Sequence, residues 1–349
     1  MGENVLTIGP NYRPPRGGIA QVMSYYDEFI FKQFNFVANS CDGGILAKVW
    51  CMLNALFQCI FIFVTNPKVR IVHIHTASYN SFTRSVIFMR LAKLFSRRVV
   101  MHVHGGEFRL DYNKRPKFIS RALRKCNSVV VITNGNKSFF EKEIGLDNVT
   151  VVANVVPNPH FDRDFSTITT TVHALFMGAV CDNKGIFDLL EVIGKNKDSF
   201  NRHLIIHIAG SGDIERCKNL IAEFGIEDIV KYEGWLTGGE KRLMLEKCSL
   251  FILPSYVEVL PMSVLEAMSF SMAVISTTVG GIPEVVNDGI SGLLVRPGDK
   301  ESLCACIMRL VSKPHLIHQM GLEGQKIAKN YFPQTIEAKL ENIYKRICV

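Results

Sequence analysis

A pattern of strand, loop, helix and strand between residues 251 and 284 constrains the fold more than any other segment of this chain. The run reads FILPSYVEVLPMSVLEAMSFSMAVISTTVGGIPE. It predicts short apolar strands at 251–253 and 273–275, a helix that Pro261 opens between them, and another helix that starts at Pro283. Parallel strands joined by a helix form an α/β unit, and the carboxyl ends of its strands face a ligand.

Carboxylates and glycines follow these strand ends. Glu258 lies in the loop after the first strand, Glu266 lies on the helix, and the pair Gly280–Gly281 follows the second strand. Carboxylates at this position suit a ligand rich in hydroxyls, and the free N–H groups at a helix start suit an anion. The segment therefore predicts a site for a ligand that combines both.

The same residues carry a family resemblance. The spacing Glu258-x7-Glu266, with Leu260 and Pro261 between the two and Val-Gly-Gly-Ile-Pro-Glu after them, resembles the signature of retaining nucleotide-sugar glycosyltransferases of family 4. The resemblance covers nearly the whole chain and is densest over 176–297. It implies an enzyme that moves a sugar from a UDP- or GDP-sugar with retention of configuration.

The resemblance also implies the GT-B fold, an α/β fold of two facing Rossmann-like domains with a cleft between them and a C-terminal helix that crosses back to the first domain. Apolar strands alternate with helices through both halves of the 349-residue chain, which is longer than one core usually holds. We expect an acceptor-binding domain at 1–160, a nucleotide-sugar-binding domain at 170–332 and the returning helix at 333–349. The proline-containing stretch 154–171 is the expected linker.

The loop FMGAVCDNKG at 176–185 is the predicted site of the donor diphosphate. Gly178 allows a tight turn, and the Lys184 ammonium can lie on a phosphate. The resembled family commonly has an arginine where this chain has Ala179. Another cation is therefore expected to supply the second charge, and Arg16 and Arg109 are the candidates.

Further donor contacts are expected from backbone groups and from one carboxylate. Gly17 and Gly18 follow the first strand and open a helix, so their N–H groups can approach an anion closely. Gly210 and Gly212 match a family loop near the nucleotide, and the resemblance assigns Glu266 to the ribose hydroxyls. The first loop lacks the spacing G-x-G-x-x-G, which counts against a dehydrogenase.

The resemblance assigns the transfer chemistry to Glu258, His104 and Lys184. Glu258 would bind sugar hydroxyls and stabilise positive charge on the anomeric carbon. His104, directly after the strand 99–103, would lie close to the donor sugar, although a histidine bonded to backbone at a strand end is the alternative. In the family's route the acceptor attacks from the front face and a donor phosphate oxygen takes its proton.

Acceptor contacts are expected from His75 and Arg109. His75 ends its strand at the same rim as His104, whereas His102 is expected to point to the other side of its strand as a structural residue. A glycan or a lipid-linked glycan, as in cell-surface polysaccharide biosynthesis, is the expected acceptor.

No metal and no cofactor are expected, since the nucleotide sugar is a co-substrate. Asp162-Arg163-Asp164 has the form of an Asp-x-Asp metal motif, but no apolar strand precedes it, so the match is attributed to chance. Ten scattered cysteines without a Cys-x-x-Cys pair suit reduced thiols in a cytoplasmic protein, and no secretory leader is recognised at the N-terminus.

Positive charge is concentrated in the first half of the chain. Residues 1–160 hold 20 Lys and Arg against 9 Asp and Glu, within a net charge of +8 for the whole chain. One cluster follows the His104 loop and consists of Arg109, Lys114, Arg115, Lys117, Arg121, Arg124 and Lys125. It favours peripheral contact with an anionic membrane at the inner face of the cell; a solvated surface with surplus lysine is the alternative.

The run WCMLNALFQCIFIFV at 50–64 is the most apolar segment. It is shorter than the roughly 20 residues that a membrane span needs. We expect a helix, at 47–65, that packs in the core of the first domain or lies partly at a membrane interface.

Three other functions are weighed against the transferase. A non-catalytic sugar-nucleotide-binding or scaffold subunit of a polysaccharide assembly complex is favoured by Ala179 alone. A GT-B epimerase is disfavoured by Glu258 and Glu266. A nucleic-acid binder is disfavoured because aromatic residues do not interleave with the basic ones.

Overall fold

The computed structural model describes residues 2–15, 17–163 and 171–348. The chain divides into two compact units, the first made of Met1–Pro157 and Tyr331–Val349 and the second of Asn158–Asn330. The second unit thus begins at Asn158, whereas the sequence analysis expected its domain from 170. The expected linker lies partly outside the described residues.

The first unit is built on a sheet of six parallel strands. They are β1 (Val5–Pro10), β2 (Asn35–Ser40), β3 (Ile71–Thr76), β4 (Arg98–Val103), β5 (Ser128–Val131) and β6 (Val149–Val151). Their order is β2-β1-β3-β4-β5-β6. The sequence did not predict the edge strand β2, because the buried polar residue Asn39 stands beside Val37 at an inward position and breaks the apolar alternation.

The helices of the first unit include the last one of the chain. They are α1 (Gly18–Tyr25), α2 (Ile45–Thr65), α3 (Asn80–Leu94), α4 (Phe108–Lys114), α5 (Pro116–Leu123), α6 (Asn134–Lys142) and α14 (Pro333–Cys348). The helix that Gly17 and Gly18 were expected to open is short, since α1 passes into a π turn at Tyr26–Ile30 and Phe31 is extended. On α14, Tyr344 Oη lies 2.6 Å from His73 Nδ1, so α14 packs within the first unit.

The second unit repeats the plan with another strand order. Its parallel strands are β7 (Val172–Met177), β8 (Leu204–Ala209), β9 (Val230–Gly234), β10 (Leu250–Leu253), β11 (Ala273–Thr277) and β12 (Gly292–Val295). Their order is β12-β11-β10-β7-β8-β9. The sheet grows one way from β7 to β9 and the other way from β10 to β12. The switch point therefore lies between β7 and β10, where ligands of open parallel sheets bind.

The helices of the second unit are α7 (Ile186–Lys195), α8 (Lys197–Phe200), α9 (Ile214–Phe224), α10 (Gly238–Lys247), α11 (Met262–Ser269), α12 (Lys300–Ser312) and α13 (Pro314–Ala328). The helix predicted from Pro283 is wrong, because only one 3₁₀ turn forms at Ile282–Glu284. Val285 and Val286 are buried in the core at 1% exposure each, and the Asn287 N–H donates to Ser291 Oγ. The chain therefore forms a turn at this point and does not continue as a helix. The two parallel sheets confirm the predicted α/β class.

Candidate functional site

The switch point of the second sheet brings a lysine and a glutamate together. The loop after β7 ends in a 3₁₀ turn at Asp182–Lys184, and the loop after β10 carries Glu258. Lys184 Nζ donates to Glu258 Oε1 in a short ion pair. The lysine side chain is 26% exposed and the glutamate side chain 9% exposed. The lysine is therefore accessible to a ligand in solvent while it remains close to Glu258.

Close contact between the two loops depends on a glycine. Gly185 follows Lys184 with a φ of 68°, and a Cβ there would lie 2.0 Å from Pro254 O. Ser255, next in the second loop, donates its hydroxyl to Glu258 Oε1 at 3.1 Å. The glutamate is thereby fixed from two sides, and a side chain at 185 would push the loops apart.

The glycine pair of the sequence motif supports the Glu258 loop. Gly280 has a φ of 56°, and a Cβ there would lie 2.1 Å from Glu258 O. The Gly281 N–H donates to Val259 O at 2.5 Å. The spacing of the motif is thus explained by packing of two loops, which positions the carboxylate.

Glycines also allow the loops after β7 and β8 to lie side by side. The Gly178 N–H donates to Ala209 O at 3.0 Å, and a Cβ on Gly210 would lie 1.8 Å from Gly178 O. Gly212 has a φ of 140°, and a Cβ there would lie 2.4 Å from Val180 O. The contact of these loops with a nucleotide stays a prediction.

Glu266 is held by a lysine that the sequence did not reveal. Its side chain on α11 is 5% exposed and accepts from Lys241 Nζ, on α10, at 2.7 Å. A basic residue on a polar helix ordinarily indicates a solvated face, so no signal in the sequence singled out Lys241. Leu260 is 5% exposed and Pro261 directly precedes α11, so both shape the segment between the two glutamates.

The second unit also supplies a cation beside the turn that carries Lys184. Arg216, in the first turn of α9, places Nη1 3.0 Å from Asp182 Oδ1, and its guanidinium lies 3.7 Å from the centroid of the Phe187 ring. Of the two cations that the sequence suggested, Arg16 lies outside the described residues and Arg109 belongs to the first unit. Arg216 is therefore a third candidate for the missing arginine.

In the first unit, Gly17 and Gly18 stand where the sequence placed them, after β1 and at the start of α1. Gly17 has a φ of 87°, a conformation that L side chains rarely adopt. A Cβ on either glycine would meet nothing within 4 Å. The loop is thus open, and its contact with a donor stays a prediction.

Four imidazoles stack on one face of the first sheet. They are His73 and His75 of β3, His102 of β4 and His104 directly after it, and neighbouring ring centroids lie 4.2 to 5.3 Å apart. Burial lowers the pKa of His73 to about 3 and that of His104 to about 4, and it lowers the pKa values of His75 and His102 well below the usual range. All four rings are therefore neutral at pH 7.

A directed chain of hydrogen bonds fixes two of the imidazoles, His73 and His102. Because a carbonyl only accepts, His102 Nε2 donates to Val152 O at 3.2 Å and its Nδ1 is left to accept. His73 Nε2 then donates to His102 Nδ1 at 3.2 Å, and the Tyr344 hydroxyl donates to His73 Nδ1 at 2.6 Å. The histidines thus connect β3 and β4 to the last helix of the chain.

Two expectations for these histidines are corrected. His102 shares a face with His104, because residues two apart on a strand point to the same side. His75 is 1% exposed and its Nδ1 lies 2.9 Å from His104 Nε2, so the ring is inside the unit and not at a surface where an acceptor could touch it. His104 is half-buried at the strand end and remains the histidine that a ligand can reach.

Part of the basic cluster is structural. Arg109 pairs with Glu143 and lies over the Phe139 ring at 4.7 Å, with 60% of its side chain exposed. Arg115 pairs at 2.6 Å with Asp111, whose side chain is fully buried. Arg115 therefore has a structural role, whereas the acceptor contact of Arg109 stays a prediction.

The Asp-x-Asp match at 162–164 includes a structural arginine. Arg163 donates to the backbone carbonyls of Leu245, Glu246 and Phe270, at the ends of α10 and α11. Asp164 lies outside the described residues. The contacts of Arg163 give this segment a packing role.

Helix α2 overturns the expectation of a core helix. It is 21 residues long, and its buried residues are Ala55, Cys59 and Phe63. Its mean hydropathy is 1.9 over a window of which 11% is buried, so it is long and apolar enough to cross a membrane by length and composition. The exposed large apolar side chains on it are Ile45, Leu46, Val49, Trp50, Leu53, Phe57, Ile60, Phe61 and Val64.

Two Rossmann-like units in one chain, with the last helix packed in the first, define the GT-B class of fold. Residues 161–327 match the model of the family glycosyl transferases group 1. The predicted fold class and the resemblance to sugar-nucleotide transferases are thereby confirmed. Assignment to family 4 stays a prediction.

Two of the curated relatives that the chain matches are named glycosyltransferases. An uncharacterized glycosyltransferase of Methanocaldococcus jannaschii is 29% identical over 289 residues, which are 81% of this chain and 77% of that protein. The putative colanic acid biosynthesis glycosyltransferase WcaL of Salmonella typhimurium is 31% identical over 149 residues, 40% of this chain and 37% of WcaL. In the first curated relatives that it matches, the chain spans between 37% and 59% of their own length.

Solved structures agree in fold. Sucrose-phosphate synthase from Thermosynechococcus elongatus has a TM-score of 0.77 at 15% identity, with 99% of each chain covered. The Anabaena protein HepE, in complex with UDP and glucose, has a TM-score of 0.75 at 14% identity, with 98% of this chain and 99% of that chain covered. At such identities the likeness shows the fold alone.

Proposed function

We propose that this chain is a retaining glycosyltransferase that moves a sugar from a UDP- or GDP-sugar to a glycan or lipid-linked glycan acceptor. The pair Lys184–Glu258, at the switch point of a glycosyl transferases group 1 domain, is the observation that carries the proposal. Ligands of such sheets bind at that point. A lysine offers charge to a diphosphate, and a carboxylate offers acceptors to sugar hydroxyls. The UDP in the HepE complex supports a uridine nucleotide.

In the proposed reaction the ion pair opens when the donor binds. The Lys184 ammonium exchanges the carboxylate for phosphate oxygens and stabilises the leaving diphosphate, while Glu258 turns to the sugar hydroxyls. Positive charge that develops on the anomeric carbon is then stabilised by the carboxylate. The acceptor hydroxyl attacks from the front face, which retains the configuration, and its proton passes to a donor phosphate oxygen as the bond to the diphosphate breaks. The contact of His104 with the sugar stays a prediction. The transfer requires no resident metal or cofactor, since the charge comes from side chains.

Donor-dependent release of nucleotide tests the proposal. The full chain is offered UDP-, GDP- and ADP-sugars with a membrane lipid extract as the source of acceptor. We expect release from one donor, slowed by about 100-fold or more in Lys184→Ala and in Glu258→Gln. Lys195→Ala is the matched control, because Lys195 pairs with Glu191 on the surface of the same unit at 2.7 Å. Full activity in both site variants would contradict the proposal.

A non-catalytic sugar-nucleotide-binding or scaffold subunit is the second candidate. Ala179, at the position of the family arginine, favours it. Tight binding of a nucleotide sugar in calorimetry, without nucleotide release in the presence of any lipid or glycan extract, would decide for this function. Conversion of the donor sugar without transfer would instead identify a GT-B epimerase.

We further propose that α2 docks the first unit on an anionic membrane, which places the protein in the cytoplasm at the inner face of the cell membrane. Trp50 and Phe57 are 73% and 69% exposed on this helix. Residues 43–106 contain eight Lys and Arg and no Asp or Glu. Apolar side chains enter the interface, and basic residues near anionic headgroups add about 1 kcal/mol each. The name of WcaL supports a role in cell-surface polysaccharide biosynthesis.

Fluorescence and vesicle flotation test the membrane contact. The chain has two tryptophans, so Trp235→Phe leaves Trp50 as the single reporter. We expect a blue shift of its emission and flotation with anionic vesicles, and loss of both in Phe57→Glu. Leu243→Glu is the matched control, because Leu243 is 67% exposed on α10 of the second unit. Equal recovery with neutral and anionic vesicles would count against the proposal.

A further inference from the structure

We propose that His73, His75 and His102 form a binding site for one transition-metal ion of the Zn²⁺ class. One ring nitrogen of each residue lies within 4.8 Å of the other two. Imidazole suits Zn²⁺, Cu²⁺ and Ni²⁺, and three imidazoles with a fourth position for water are a known coordination set for zinc. The site belongs to the first unit, whereas the Lys184–Glu258 pair belongs to the second, so this inference goes beyond the proposed transfer.

A buried nitrogen without a hydrogen bond points to a ligand. His75 Nε2 has no partner among the described residues, although the side chain is 1% exposed. A buried polar group without a hydrogen bond destabilises the folded protein. His75 Nδ1 lies 2.9 Å from His104 Nε2 and can donate a hydrogen bond to it. In that tautomer the Nε2 atom of His75 carries a lone pair that can bind an ion.

The other two rings have the outer contacts that metal-bound histidines need. His102 Nε2 donates to Val152 O, which orients the ring and leaves Nδ1 as the ligand atom. His73 Nδ1 lies against the Tyr344 hydroxyl, so Nε2 is its ligand atom once Nδ1 donates to that oxygen. The His73–His102 hydrogen bond of 3.2 Å is exchanged for the two bonds to the ion.

Geometry and access allow an ion to enter. Zn–N bonds of about 2.0–2.1 Å place nitrogen ligands roughly 3.4 Å apart, so nitrogens that now lie within 4.8 Å of one another need to approach by up to about 1.4 Å. The half-buried His104, stacked on His102 at 4.2 Å, marks the end of the stack that solvent reaches.

Metal titration of the full chain tests the proposal. After treatment with a chelator, calorimetry with Zn²⁺ is expected to show one ion bound per chain without any donor present. Cu²⁺ is expected to give an electron paramagnetic resonance spectrum with couplings from imidazole nitrogens. The spectrum needs no variant, so it decides the question even where a substitution in the stack disturbs folding.

Variants locate the ion. His75→Asn is expected to weaken Zn²⁺ binding by at least about tenfold. His207→Gln is the matched control, because His207 lies in a two-imidazole pair with His173 at 3.0 Å in the second unit. Absence of Zn²⁺ binding, a Cu²⁺ spectrum with oxygen ligands alone, or equal affinity in His75→Asn overturns the proposal. None of these outcomes touches nucleotide release, so the transfer proposal fails or stands separately.

Discussion

Each of the two glutamates of the sequence motif is paired with a lysine from another element. Lys184 comes from the loop after β7 and Lys241 from α10. A buried carboxylate costs free energy unless it is paired, so each lysine stabilises its glutamate in its position. The sequence analysis identified both glutamates and Lys184, but it did not identify Lys241.

Removal of Lys241 is expected to destabilise the second unit. The side chains of Lys241 and Glu266 are 19% and 5% exposed, so Lys241→Met removes the positive charge that lies 2.7 Å from a nearly buried carboxylate. We expect a loss of about 3 kcal/mol in the free energy of unfolding in urea. Glu266→Gln added to Lys241→Met is expected to restore most of that loss. Equal stability of Lys241→Met and the wild type would show that the pair contributes nothing.

Arg216 is expected to contribute to donor binding in place of the family arginine. Its guanidinium lies beside the turn of Lys184, so Arg216→Ala removes the second positive charge that a diphosphate requires. We expect roughly tenfold weaker UDP binding in calorimetry, which corresponds to about 1.4 kcal/mol. Arg242→Ala is the control, because Arg242 pairs with Glu246 on α10 at 2.7 Å. An unchanged affinity in Arg216→Ala would exclude this role.

At the scale of elements, the sequence predicted most of the parallel strands. It did not predict the features that depend on tertiary contacts, such as the 3₁₀ turn at 282–284 and the exposure of α2. Strands such as β3 and β10 are continuous apolar runs, which is the signal of a buried parallel strand. The single 3₁₀ turn at 282–284 could not be predicted, because burial of the two valines after it overrides the helix start at Pro283. The exposure of α2 also has no local signal, since an apolar helix of the core has the same composition.

The two site loops of the second unit are expected to depend on Gly185. An alanine there would face both a φ of 68° and a carbonyl oxygen 2.0 Å from its Cβ. Gly289→Ala is the matched control, because Gly289 has a φ of 74° and open space around it. We expect Gly185→Ala to lower the melting temperature more than the control and to slow nucleotide release by at least about tenfold. If both changes lowered the melting temperature and slowed nucleotide release to the same extent, the backbone conformation at positive φ would explain the whole effect, and the close contact with Pro254 would contribute nothing.

At the scale of the whole molecule, the end of the chain completes its first unit. The resemblance implied a returning helix, and α14 makes contact through Tyr344 with His73. The stack behind that contact could not be predicted from the sequence. It depends on the register of β3 and β4, in which His75 stands opposite His102, and no residue pattern within one strand specifies the register to its neighbour.

The buried stack is expected to make the stability of the protein depend on pH. His73 is fully buried, and burial lowers its pKa to about 3 in the folded protein, whereas a histidine of the unfolded chain titrates near about 6.5. The titratable groups around it are His75, His102, His104, Tyr26 and Tyr344, and none of them offers a negative charge to an imidazolium. Below about pH 6.5 the unfolded chain therefore binds the proton first, and the folded state loses stability.

The loss of folding free energy at low pH is large enough to be measured by urea unfolding. Each pH unit below about 6.5 costs about 1.4 kcal/mol for one such group, so His73 alone removes about 2 kcal/mol by pH 5. His75 and His102 are shifted in the same direction and add to the slope. With a chelator present, His73→Asn is expected to flatten the pH profile by about one proton, while a change at the exposed His203 leaves it as in the wild type. A free energy of unfolding that stays constant from pH 7 to 5 would mean that the imidazoles gain protons inside the fold, and the stack would then be open to water.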